Sequence, residues 1–244
     1  MSRIVEYTKD IFIGCYEIIT DKKGYKRSMF VNQIYFFGAL SLSMVLVVSF
    51  FLGLVLTLQF VPELGRFGAE TLTGGMVMVS LAREVSPVVI SIMIAGRMGS
   101  AMAAELGSMN ITNQIDSLKL MAVNPIRYLV APKVLSSIIM LPFLTMISIF
   151  AGGLGSYIMA VFFYDISYEA YLEKASEMFR QMDVIGGVSK TIAFGFVISF
   201  ISCYKGIFLR GSSTEVSRAT TDSVAYSIVA IIVVNLFLSY LIFS

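Results

Sequence analysis

The chain has no histidine and only two cysteines, Cys15 and Cys203, in 244 residues. A zinc centre of the His/Cys type has nothing to be built from. A disulfide framework is equally unsupported, because Cys203 lies in an apolar run and Cys15 in a segment of cytosolic character. Charge is scarce as well: Asp, Glu, Lys and Arg make up 14% of the residues and the net charge is +2. The bases are scattered among connecting segments, so no basic arm exists to hold nucleic acid. No Gly-Lys dipeptide occurs anywhere, which excludes a G-x-x-x-x-G-K-[ST] phosphate loop. Any ATP and magnesium must then be bound by another polypeptide, and no cofactor is expected in this one. The first 30 residues lack the basic start, short apolar core and small-residue cleavage site of a secretory signal, so insertion is expected to use the first spanning helix.

What is abundant is hydrocarbon. Hydrophobic residues account for 57% of the sequence and mean hydropathy is +0.83, so lipid must cover most of the surface. A helix crosses a core of about 30 Å with roughly 20 apolar residues. Stretches of that kind place spans near residues 35–60, 72–96, 134–164, 184–204 and 223–243. The uncharged run over 134–164 exceeds one crossing and requires tilt, a kink at Pro142 or protrusion. The expected fold is an all-α integral membrane protein of about five transmembrane helices. Within residues 1–30, Val5, Ile11, Phe12, Cys15, Ile18 and Ile19 share one helical face, the pattern of a helix lying in the membrane interface; residues 31–244 form the membrane domain.

Orientation follows from the bases, because cytoplasmic flanks are enriched in them. Arg3, Lys9, Lys22, Lys23, Lys26, Arg27, Arg97, Lys119, Arg127, Lys133, Lys205, Arg210 and Arg218 fall on one side if the N-terminus is cytosolic. Arg66, Lys174, Arg180 and Lys190 fall on the other, beside an acidic external segment at 165–183 carrying Asp165, Glu169, Glu173, Glu177 and Asp183. Five spans put the C-terminus outside.

Two places stand out. Arg83 and Glu84 sit near the middle of the second span, where an ionised group costs several kcal/mol unless it has a partner or a water-filled cavity. Neighbouring helical residues point about 100° apart, so each must look elsewhere for its partner. Pro87 lacks the amide that would bond the Arg83 carbonyl, which frees an acceptor beside the charges and is expected to kink the helix. Two readings remain open: Arg83 facing a lipid phosphate, or Glu84 paired with a base on another helix. The second place is the cytosolic connection at 97–127. Its small residues, among them Gly96, Gly99, Ala101 and Ala104, permit close packing. Ile111, Ile115, Leu118 and Ala122 form an apolar stripe on a short helix opened by Asn110, which presses either on a partner or on its own bundle. The glycines at 152, 153, 155, 186 and 187 read as sites of close helix approach, and the 15 methionines as adaptable apolar surface.

The run Ala95-Gly96-Arg97-Met98-Gly99-Ser100-Ala101, followed by Ala103-Ala104-Glu105-Leu106-Gly107-Ser108-Met109, Gln114-Ile115-Asp116-Ser117-Leu118 and Asn124-Pro125, resembles the signature of the MlaE permease family. These are the membrane subunits of MCE-associated ABC lipid transporters. The likeness is close over residues 82–133, and Ser217-Arg218-Ala219-Thr220-Thr221 forms a second matching patch, with Asp222 where the family often has a base. The resemblance implies a homodimer in a bacterial inner membrane, clamped from the cytosol by two ATPase subunits and facing an MCE-domain protein on the other side. It implies a cytosolic coupling helix over 101–121, with Glu105 as charged anchor and Ala101, Leu106, Met109, Ile115 and Leu118 at the ATPase. It places Leu56, Leu64 and Phe67 along a lipid cavity; Arg83 and Glu84, from their depth in the span, and Arg218 are counted with them as candidate lipid-binding positions. The expected function is a non-catalytic transport subunit that moves phospholipids. A gradient-driven transporter or channel using Arg83 and Glu84, and a membrane scaffold without transport, are the competing readings.

Overall fold

The computed structural model describes residues 2–20 and 25–243. Lys22 and Lys23, counted among the cytosolic bases, lie outside them. The described residues form eight helices and no strand: α1 (Ser2–Thr20), α2 (Tyr25–Gly65), α3 (Glu70–Ile111), α4 (Gln114–Leu120), α5 (Ile126–Phe163), α6 (Tyr168–Met178), α7 (Gln181–Ile207) and α8 (Ser213–Phe243). Five of them, α2, α3, α5, α7 and α8, are long and apolar enough to cross a membrane.

The spans are longer than the hydropathy runs suggest. The second does not stop near residue 96; α3 continues through the small-residue stretch to Ile111, and wider π-type turns at Leu81–Val85 and Ala95–Gly99 keep it unbroken. Alanine, methionine and leucine in that stretch are strong helix formers, and composition judged by hydropathy alone hides that. Asn110 does not open the next helix. It lies in the last turn of α3, and its amide donates to the Ile207 and Leu209 carbonyls at 3.1 and 2.6 Å. The turn into α4 is made by Asn113 at φ 57°. Pro142 is carried inside α5 without interrupting it.

The chain divides into two compact units. The first comprises Met1–Leu40, Ser91–Leu141 and Ile192–Phe237. In it α1 buries Tyr7, Ile11 and Ile18 and exposes Val5, Phe12, Tyr16 and Ile19, so the apolar positions expected on one face are split between two. Tyr7 meets Phe200, Tyr204 and Phe208 edge-on, with ring centroids 5.1 to 5.8 Å apart. The α1 helix is also held by a polar clasp. Arg127 donates to Asp10 through Nε at 2.9 Å and Nη2 at 2.8 Å, and Asn124 donates to the other carboxylate oxygen at 3.0 Å.

The second unit comprises Ser41–Ile90, Pro142–Thr191 and Leu238–Ser244. Here α2 and α5 meet through hydroxyl pairs two turns apart, Ser49 with Ser148 at 2.7 Å and Thr57 with Ser156 at 2.8 Å. Such bonds suit a lipid-embedded interface, where water offers no competing partner. The acidic segment supplies one helix, α6, opened by Ser167, whose hydroxyl accepts the Ala170 amide at 3.3 Å.

Candidate functional site

The second unit places its charges together. Arg83 and Glu84 lie in the π-type turn at Leu81–Val85, and both turn toward α7, where Asp183 and Lys190 stand seven residues apart on one helical face. Arg83 Nε donates to Asp183 Oδ1 at 2.7 Å; Lys190 Nζ donates to Glu84 Oε1 at 2.6 Å. The carbonyl that Pro87 leaves without its helical donor is used, since Lys190 Nζ also donates to Arg83 O at 3.0 Å. Ser239 on α8 closes the network by accepting from Lys190 and donating to Glu84, each at 2.7 Å. The Phe243 ring lies against both cations, 4.8 Å from the Arg83 guanidinium carbon and 4.7 Å from Lys190 Nζ.

Lys190, expected near one end of the fourth span and counted with the external bases, is instead packed into the bundle. Its side chain is fully buried, and Asp183 is 2% exposed, whereas Arg83 and Glu84 are 40% and 43% exposed. The two buried groups on α7 hold the two half-open ones on α3. An ion pair desolvated in this way needs every remaining donor and acceptor matched, and the backbone carbonyl, Ser239 and the Arg180 amide, which donates to Asp183 at 2.9 Å, do that. The approach of α7 to α3 depends on Gly187, because a Cβ there would collide with the Ala82 carbonyl. Sequence reasoning gave Glu84 a base on another helix as one of its readings; Lys190 is that base. The Asp183-to-Lys190 spacing, opposite in charge order to Arg83-Glu84, was the available signal.

Of the other positions, Leu56 and Leu64 are half-buried and Phe67 is 83% exposed in the second unit. Arg218 belongs to the first unit, is exposed and pairs with Glu215 one turn away at 3.0 Å. In the 97–127 segment Leu106 and Ile115 are buried in the chain's own bundle, Ala101, Met109 and Leu118 are half-buried, and Leu120 and Met121 carry the exposed apolar surface. Glu105 pairs with Lys133 at 2.6 Å; the lysine is 3% and the glutamate 48% exposed.

The model of the family described as Permease MlaE matches residues 30–241. The chain belongs to the MlaE permease family. Probable ABC transporter permease proteins of Rickettsia bellii and of Synechocystis are 39% and 37% identical over 217 and 214 residues. Those matches cover 89% and 88% of this chain and 84% and 81% of theirs. The Arabidopsis thaliana protein named Trigalactosyldiacylglycerol 1, chloroplastic, is 38% identical over 207 residues, 85% of this chain and 59% of its own length. This MlaE-family chain is therefore a multi-pass membrane protein and an ABC transporter permease subunit, a transport component whose family implies an ATPase partner.

Proposed function

We propose that two copies of this permease form a cavity that accepts a phospholipid or a related amphiphile and exchanges it with an MCE-type protein, driven by ATPases on the cytosolic face. The observation that carries the reading is the asymmetric charge network: Arg83 and Glu84 are half-open at membrane depth, while Lys190 and Asp183 hold them from behind. Ionised groups are retained at such depth where they serve a pathway or a ligand. Arg83 spends Nε on Asp183, and the rest of its planar guanidinium suits a head-group phosphate. Leu56, Leu64 and Phe67 supply apolar wall. A galactolipid in the name of the Arabidopsis relative is in keeping with a lipid cargo.

In this reading the bacterial inner membrane holds the dimer with N-termini cytosolic and C-termini periplasmic, and segment 97–127 receives the ATPase. Nucleotide binding moves that segment and reshapes the cavity. Two experiments test the proposal. Lipid extracted from the gently purified complex is expected to include phospholipid in stoichiometric amount; an intact complex without lipid contradicts it. Leu120→Asp with Met121→Asp changes exposed residues only and is expected to release the ATPase, and undiminished ATPase stoichiometry overturns the coupling assignment. The change Glu105→Lys is the poorer test, since it also strands the buried Lys133.

A further inference from the structure

In the second unit α6 lies against α3 because Gly74 and Gly75 have no side chains there. A Cβ on Gly74 would meet the Tyr171 carbonyl at 2.8 Å, and one on Gly75 the Lys174 carbonyl at 2.9 Å. Between α6, α5, α3 and the start of α7 a cavity of about 470 Å³ remains, walled by residues such as Met78, Ile149, Gly153, Leu172 and Val184. Among the described residues no charged side chain lines it. Tyr157, Tyr168 and Tyr171 are the lining residues with polar side-chain atoms, and the Tyr171 phenol donates to Ser156 at 2.9 Å.

The exposed lining residues lie on spanning helix α5, where Phe150 is 77%, Leu154 57% and Met146 48% exposed, and on α6, where Tyr168 and Leu172 are exposed to a similar degree. In a chain embedded in lipid, those residues face hydrocarbon. Water cannot fill such a space, because an ordered water needs two to four polar partners. A partner helix, about 10 Å across with its side chains, would cover the mouth without filling the interior. An alkyl chain is slender enough to enter, and the methionines Met78 and Met146 adapt to its shape. The rings of Tyr157, Tyr168 and Tyr171 add aromatic wall for such a chain, and the Tyr171 phenol is already engaged by Ser156.

We propose that each subunit holds one acyl chain of a bilayer lipid in this cavity, wedged between α5 and α6. The site is separate from the Arg83–Glu84 network and requires only that the protein span a membrane, so it stands or falls apart from the choice of transported cargo. The test uses the full chain with its ATPase in detergent, titrated with a phosphatidylethanolamine that carries a diazirine on one acyl tail, with photolabelled residues read by mass spectrometry. Labelling of Met78 and Val184 is expected to saturate, while labelling of Phe143, a 61% exposed residue on α5, rises in proportion to probe. Leu172→Trp fills the cavity and is expected to abolish the label at Met78 and Val184 and leave Phe143 unchanged. Met146→Trp at the mouth, where the side chain is already half exposed, gives the same readout if Leu172→Trp does not fold. Parallel, unsaturable labelling at all three residues, no label at Met78 and Val184 in the wild type, or labelling that survives the filling variants overturns the proposal.

Discussion

Two ion pairs in this permease share a design and differ in support. Glu84–Lys190 and Glu105–Lys133 both close at 2.6 Å, and each sets a buried lysine against a glutamate roughly half exposed. Lys190 has two further acceptors, the Arg83 carbonyl and Ser239 Oγ, and an aromatic face. Lys133 donates to Glu105 and to no other group among the described residues. The first is a network in which the lysine keeps other partners if one is removed, and the second is a single contact on which a buried charge depends. A network of that kind can hold a surface charge in place while its neighbour is occupied by a ligand. A lone pair ties a segment down.

The sharpest way to break this contrast is Glu105→Ala, which leaves Lys133 buried and unpaired. A loss of about 2–4 kcal/mol is expected, the half-exposed glutamate lowering the figure from that of a fully buried pair, measured by unfolding in detergent. Gly187→Val comes next. It forces α7 away from the Ala82 carbonyl, strains the reach of Lys190 to Arg83 O and should cost about 1–3 kcal/mol by the same measurement. Glu84→Gln keeps an acceptor for Lys190 and leaves Ser239 and the carbonyl in place, so about 1 kcal/mol is expected. A loss for Glu84→Gln as large as that for Glu105→Ala would contradict the distinction.

The smallest effect concerns α1. Partial burial would raise the Asp10 carboxyl, but the hydrogen bonds from Asn124 and Arg127 and the charge of Arg127 outweigh it and hold the group below the ordinary carboxylate value. The folded-state value is depressed, so the contribution is fully present above the unfolded value near 3.9 and is lost as pH falls through the folded one. Docking of α1 should therefore be flat across neutral and mildly acidic pH. Cys15 reports on it: burial pushes its thiol up to about 11, and its Sγ lies 3.7 Å from the Ala131 carbonyl. Alkylation of Cys15 is expected to be slow in the wild type and faster in Arg127→Ala. Equal rates would show that the clasp does not hold α1.

Much of this architecture was legible in the sequence, for reasons of length and charge. Five apolar runs suffice to count spans, and Arg83, Glu84 and Pro87 pointed to partners on other helices and to a spare carbonyl. Helix ends were not legible, because the run from Ala95 to Ile111 is amphiphilic in composition yet strongly helix-forming, and hydropathy sees only the first property. Asn110 was misread since a capping residue and a side chain reaching to another helix's carbonyls have the same letter. Lys190 was misplaced because a base near the end of a hydrophobic run looks external; its partner stands 106 positions away, and only the packing of α7 on α3 at Gly187 brings them together.

In the proposed cycle Arg83, held by Asp183 from α7, presents its charge to a lipid head group, and occupancy of the site is passed on to the ATPase. The decisive measurement is ATP hydrolysis by the reconstituted permease–ATPase complex, with and without added phospholipid, for the wild type and Arg83→Gln. Stimulation by phospholipid is expected in the wild type and its loss in Arg83→Gln, with basal hydrolysis and assembly retained. Hydrolysis indifferent to phospholipid, or full stimulation in Arg83→Gln, would contradict that cycle.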